Sequence, residues 1–149
     1  MAEPITTPEQ PGTLEVAVCG QHMRGFVLHR QLKELGAIFV EVTRTAPRYH
    51  LFALPTEPVK PGLLRVGAGG STIEVEVYRL TYEAFGRLVA SIPQPLGFGT
   101  IALADGRMIE GFLAEPIAIC NAKGILQPGV EDITNIGWRK HISSAEENV

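Results

Sequence analysis

Apolar residues first gather at Leu14, Val16, Ala17, Val18 and Cys19, and the run breaks at Gly20. This predicts a buried strand over Leu14–Cys19, followed by a turn bracketed by Gly20 and Gly25. Phe26, Val27, Leu28, Leu32 and Leu35 then share one helical face, with Arg30, Lys33 and Glu34 opposite them and Gly36 placed to end the helix. The helix is expected to start near Val27.

Branched and aromatic residues over Ala37–Thr43 predict a second strand, and Tyr49–Leu54 a third, joined by a polar connector at Arg44–Arg48. The Pro-rich segment Pro55–Gly62 reads as a surface loop and Leu63–Val66 as a short strand. Gly67-Ala68-Gly69-Gly70 lacks the Lys-Ser/Thr of a phosphate loop and reads as a hairpin link. From Thr72 to Leu80 the residues alternate. Ile73, Val75 and Val77 form a core face, and Glu74, Glu76 and Tyr78 an opposite face read as solvated; a metal or acid/base pair at Glu74 and Glu76 is the sharper alternative.

Thr81 caps a helix through Ser91 that Pro93 and Pro95 terminate. Gly99–Ala104 and Met108–Ile119 flank Asp105-Gly106, the strongest short turn signal in the chain, and predict a hairpin. Asn121–Gly129 is a connector, and Asp132–Ile142 a turn and short helix in which Trp138 plugs the core beside a snorkelling Arg139. The result is an α/β or α+β domain of about seven strands and two principal helices, whose mixed sheet can curl into a small barrel.

The length of 149 residues suits one domain, placed at residues 14–142 between a flexible arm at 1–13 and a frayed acidic tail at 143–149. The arm has prolines at 4, 8 and 11 and no apolar core for a signal peptide, and no run is long enough to span a bilayer. A cytoplasmic protein is expected. A net charge of −3 argues against nucleic acid or an anionic membrane as partner. Cys19 and Cys120 lie in separate apolar runs and read as buried free thiols, and His29, His50 and His141 share no zinc-ligand spacing. No metal or cofactor is expected.

The candidate chemistry lies in the first turn. Strand, glycine-containing turn and helix leave backbone N–H groups unpaired at the positive end of a helix dipole, an arrangement suited to an anion. His22 adds a titratable ring and Arg24 a fixed charge, making a candidate carboxylate-binding site.

Val18-Cys19-Gly20-Gln21-His22-Met23-Arg24-Gly25, Thr43-Arg44-Thr45-Ala46-Pro47-Arg48-Tyr49, Ile73–Tyr78, Ile92-Pro93-Gln94-Pro95-Leu96-Gly97 and Gly137-Trp138-Arg139 together resemble the C-terminal domain of allophanate hydrolases. The likeness covers roughly Leu14 to Ile142 and departs from the family at the helix start, where Gly25-Phe26-Val27-Leu28-His29 replaces a Gly-apolar-Pro-Leu-Asn run. It implies an α+β, gamma-glutamyl cyclotransferase-like fold, a small mixed β-barrel with flanking helices. It also implies a hydrolase or decarboxylase acting on N-carboxycarbamate-type carboxylated urea derivatives in urea and allophanate breakdown. The chain holds no amidase-signature domain, so a stand-alone counterpart is implied. Ser91–Leu96 carries no acid where the wider superfamily uses a glutamate, which argues against gamma-glutamyl cyclotransfer.

On that resemblance His22 is the catalytic proton donor, while Gly20, Gln21, Met23 and Arg24 of the turn, with Arg48 and Tyr49, bind the small carboxylated substrate. Arg44 is a further candidate clamp. Read from the residues alone, His22 is more often a hydrogen-bonded loop residue and Arg24 more often a solvated turn residue than a site group, while Arg48 and Tyr49 serve equally as a surface ion pair and an edge-strand aromatic. The competing reading is a non-catalytic binding or scaffold module. A separate amidase subunit and a second copy of the chain are the candidate protein partners.

Overall fold

The structure is a computed structural model and describes residues 12–147; the first eleven residues of the expected arm and the last two of the expected tail lie outside the described residues. The chain begins with β1 (Thr13–Val18), whose residues Val16, Ala17 and Val18 are fully buried. β1 is the middle strand of a five-stranded sheet. It pairs antiparallel with β5 (Glu74–Thr81) and parallel with β7 (Met108–Ala114). β2 (Ile38–Arg44) flanks β5 and β6 (Leu96–Ala102) flanks β7, giving the order β2-β5-β1-β7-β6. β3 (Tyr49–Leu54), β4 (Lys60–Arg65) and the two-residue β8 (Glu131–Asp132) form a second sheet, ordered β4-β3-β8. The outer edges of the larger sheet meet at one end, where Thr45 bridges Leu103, Ala46 N–H donates to Ala102 O and Ala104 N–H donates to Arg44 O. Val75, Val77, Leu51, Leu63 and Ile101 belong to the core these strands share.

Among the described residues three α-helices accompany the strands: α1 (His29–Glu34), α2 (Tyr82–Ser91) and α3 (Trp138–Glu147). Thr81 caps α2 as its sequence position predicts, accepting from Ala84 N–H at 3.0 Å, and buries Ala84 and Leu88 against the sheet. α1 starts two residues later than expected because residues 20–28 are consumed by successive turns, with Met23 N–H on Gly20 O and Leu28 N–H on Gln21 O.

Four other expectations are corrected. The surface loop ends early: Lys60, Pro61 and Gly62 already belong to β4, which tolerates Pro61 because it is an edge strand and Ala53 is its one sheet neighbour there. The strand expected through Ile119 stops at Ala114, and Pro116 opens a 3-10 turn at Pro116–Ala118. α3 continues to Glu147 through the stretch read as a frayed tail, its ladder extended by residues that tolerate helix. The face of β5 read as solvated is covered, leaving Glu76 and Tyr78 buried, because the turn after β1 and the helix α3 both close over it.

Candidate functional site

β1 delivers the chain into the turn at Gly20. Gly20 faces Pro61 of β4 so closely that a Cβ there would clash with the proline Cγ and Cδ. The turn carries Gln21 and His22 inward, both buried. Gln21 is fixed by its amide, which donates to Val59 O at 2.7 Å. His22 lies nearly flat against Phe112 of β7, with ring centroids 5.0 Å apart and planes 20° apart. Its Nε2 sits 2.7 Å from Gln31 Oε1 on α1, and its carbonyl accepts from His29 Nδ1 at 3.0 Å. His29, the position that departs from the family pattern, thus braces the turn.

A cavity of about 410 Å³ opens beside this ring. Val18, Cys19, Leu28, Pro61, Ile92 and Phe112 are among its apolar lining residues. Arg30 and Lys60 bring two cations to it, against the single acid Glu34. Burial, the largest influence, pulls the His22 pKa below the ordinary imidazole value; Gln31 opposes this, and the charges of Lys60 and His29 add to it. The ring is therefore neutral at rest near pH 7. Burial pushes the Cys19 thiol up to about 12, so it is no nucleophile in this cavity.

The other expected residues lie elsewhere. Gly20, Gln21 and His22 line the cavity; Met23, Arg24, Arg48 and Tyr49 do not. Met23 is buried in the core. Tyr49 is fully buried, and its hydroxyl accepts from Ala102 N–H at 2.9 Å, which pins β3 to β6. Arg48 is exposed beside Gly70 and the start of β3. Arg44 is held by Thr72, with Nε 2.9 Å from its hydroxyl and Nη2 2.9 Å from its carbonyl. The anion expected over the turn is the chain's own Glu76, which accepts from Arg24 N–H at 2.9 Å and from Arg24 Nε at 3.2 Å.

Sequence reasoning missed Gln31, Ser91, Lys60 and Arg30. Gln31 and Ser91 are polar residues in helices with no spacing signal of their own, and Lys60 sits in a segment whose prolines read as loop. Among the described residues no three His, Cys, Asp or Glu side chains gather to hold a metal ion.

Residues 14–143 match the family described as the allophanate hydrolase C-terminal domain. The urea amidolyase of Saccharomyces cerevisiae is 41% identical over 128 residues, which cover 84% of this chain and 7% of that protein. Among solved structures, allophanate hydrolase from Kluyveromyces lactis superposes with a TM-score of 0.82 at 37% identity, covering 89% of this chain and 21% of the other. The uropathogenic E. coli-specific protein c4763 superposes with a TM-score of 0.75 at 33% identity, covering 89% of this chain and 96% of that one. A mouse AIG2-like protein, at 17% identity and a TM-score of 0.58, shares the fold alone. The α+β fold is thus the gamma-glutamyl cyclotransferase-like one that the sequence resemblance implies.

Proposed function

The chain belongs to the allophanate hydrolase C-terminal domain family, and on that premise we propose that it decarboxylates N-carboxycarbamate-type carboxylated urea derivatives in urea and allophanate breakdown, with His22 as proton donor. The observation that carries this reading is a buried imidazole at a cavity with a net positive rim. Arg30 and Lys60 offset the charge of a dicarboxylate. The backbone N–H groups of Gln21 and His22, two residues that line the cavity, have no acceptor among the described residues.

The chemistry balances with one proton. N-carboxycarbamate bound as a dianion loses one carboxylate as carbon dioxide when its C–N bond breaks, and the electron pair stays on nitrogen. That nitrogen takes the proton from the His22 imidazolium, giving carbamate and a neutral ring. Burial disfavours the imidazolium in the empty cavity, whereas a dianion beside it favours it, so the proton arrives with the substrate. No metal or organic cofactor takes part in this scheme.

The test supplies N-carboxycarbamate by coupling to an amidase and measures carbon dioxide release with wild-type protein, His22→Ala and His22→Gln. Acceleration by wild type and its loss in both variants is expected. Equal release with and without wild-type protein removes the enzymatic reading.

A second reading, a non-catalytic module docked on a separate amidase, draws on the exposed apolar residues Ile38, Phe39 and Val42 of the edge strand β2. It predicts co-purification with the amidase that survives His22→Ala and fails when Ile38 and Val42 are made polar.

A further inference from the structure

His22 is tied to α2 by a polar chain that the decarboxylation scheme does not require. Ser91, the last residue of α2, donates its hydroxyl hydrogen to Leu88 O at 2.7 Å. With that hydrogen committed, Ser91 Oγ accepts from Gln31 Nε2 at 2.6 Å. This bond orients the carboxamide, so that its oxygen faces His22 Nε2 at 2.7 Å. A carboxamide oxygen only accepts hydrogen bonds, so Nε2 must carry the hydrogen. A neutral imidazole has one N–H, which leaves Nδ1 bare.

His22 Nδ1 has no hydrogen-bond partner among the described residues, and the ring borders the cavity. The Phe112 stack fixes the plane of the imidazole, and within that plane the Gln31 contact is the one that engages a ring nitrogen.

We infer that Gln31, oriented by Ser91, is the positioning residue of this site: it holds His22 as the Nε2–H tautomer and assigns every proton exchanged with a ligand to Nδ1. This rests on the reading of His22 as the proton carrier. The chemistry of the partner matters. A carboxylate in place of Gln31 would hold the imidazolium and make it a poorer donor, whereas a neutral carboxamide orients the ring in both protonation states without trapping the proton. The remaining titratable or charged groups around the cavity are Arg30 and Glu34 of α1, Lys60 of β4 and Cys19 at the end of β1, with His29 behind the turn. Gln31 is the side chain whose contact selects between the ring nitrogens.

The test uses the full chain labelled with ¹⁵N on histidine. Long-range proton–nitrogen NMR reports which ring nitrogen of His22 is protonated, in Gln31→Leu, Gln31→Glu, Ser91→Ala and the wild type. Wild type is expected to show Nε2 protonated and Nδ1 bare above the ring's pKa. Gln31→Leu should give a tautomer mixture, and Ser91→Ala, which frees the carboxamide to flip, a smaller shift the same way. Gln31→Glu should restore the wild-type tautomer and raise the ring's pKa, which also controls for folding. In turnover, Gln31→Leu should lower kcat by about 10- to 100-fold with KM changed less than about threefold, and Gln31→Glu should move the pH profile upward.

A wild-type ring protonated at Nδ1, or a Gln31→Leu spectrum like that of wild type, overturns the inference. If turnover survives His22→Ala while Gln31→Leu still shifts the tautomer, the proposed function fails and the positioning role stands. If His22→Ala abolishes turnover while the tautomer ignores Gln31, the positioning role fails alone.

Discussion

Arg139 Nη2 lies 2.7 Å from Glu76 Oε2, joining α3 to the middle of β5 across 63 residues of sequence. The same oxygen takes Arg24 Nε at 3.2 Å, while Oε1 accepts from Arg24 N–H at 2.9 Å and from the Tyr78 hydroxyl at 2.8 Å. Glu76 is 0% exposed, and four donors satisfy both of its oxygens. Each arginine also rests on an aromatic face, Arg24 4.0 Å from the Phe39 centroid and Arg139 5.1 Å from that of Phe26. Burial is the largest influence on this carboxyl and pushes its pKa up, but the Arg24 N–H, the Tyr78 hydroxyl and the Arg24 guanidinium together hold it below the ordinary glutamate value. The Tyr78 hydroxyl is raised, first by burial and then by the carboxylate beside it.

Breaking this cluster should destabilise the fold and loosen the turn that carries His22. Glu76→Ala is expected to cost about 2–4 kcal/mol, moderated because Arg24 and Arg139 are half-exposed and can rehydrate. Arg139→Ala should cost less, about 1–2 kcal/mol, since three donors remain on the carboxylate. Urea unfolding at pH 7 measures both, and the reverse order would contradict the geometry.

The same carboxylate sets an acid limit. Because its folded pKa lies below the unfolded one, its stabilisation is complete above the unfolded glutamate value of about 4.3 and is lost as pH falls through the folded value. The wild-type urea midpoint should therefore fall below about pH 4.5 more steeply than that of Glu76→Gln, whose side chain does not titrate.

Ligand binding should be proton-linked in the opposite direction. Burial lowers the pKa of His22, and a dicarboxylate beside it, held also by Lys60 and Arg30, raises it, so malonate binding should take up a proton. Affinity should rise as pH falls from about 8 to 6, by at most about tenfold per unit for one proton. Calorimetry in buffers of different ionisation enthalpy reads the uptake directly, and His22→Gln should abolish it. Uptake persisting in that variant would assign the proton to another group.

Much of the fold was legible because it rests on local chemistry. The Asp105-Gly106 turn joins β6 to β7 with Gly106 at φ +94°, Thr81 starts α2, and β1 buries its apolar run. What was not legible depends on distant chain. Glu76 alternates with Val75 and Val77 as a solvated acid would, and nothing near it in sequence announces that Arg24 and Arg139 will cover it. Tyr49 sits after a proline turn like an edge aromatic, yet Ala102 brings β6 onto its hydroxyl. The turn holding His22 could be read from its glycines. The Gln31–Ser91 support could not, because it arises where α2 meets α1, 60 residues apart in sequence.

The two cysteines should separate chemically. Cys19 is buried with its pKa near 12, whereas Cys120 is half-buried. Alkylation at pH 8 of the folded protein should modify Cys120 and spare Cys19, and unfolding should expose both; peptide mapping decides. Protection of Cys19 relieved by the binding of malonate would instead show that the cavity lining opens.

Gly20→Ala tests how closely the site depends on the sheet behind it. The added methyl would clash with Cγ and Cδ of Pro61, and a proline ring fixed within a strand paired to β3 cannot rotate aside as a flexible side chain would. Either β4 or the His22 turn must move, and overpacking of this kind costs about 1–3 kcal/mol. Malonate affinity should fall as well, because Gly20, Pro61 and Lys60 line the same cavity. Pro61→Ala removes the two ring carbons closest to the new methyl, so the double variant should recover part of both losses, a coupling of about 0.5–3 kcal/mol between the sites. If the two substitutions add independently, the contact between turn and strand does not set the geometry of the cavity.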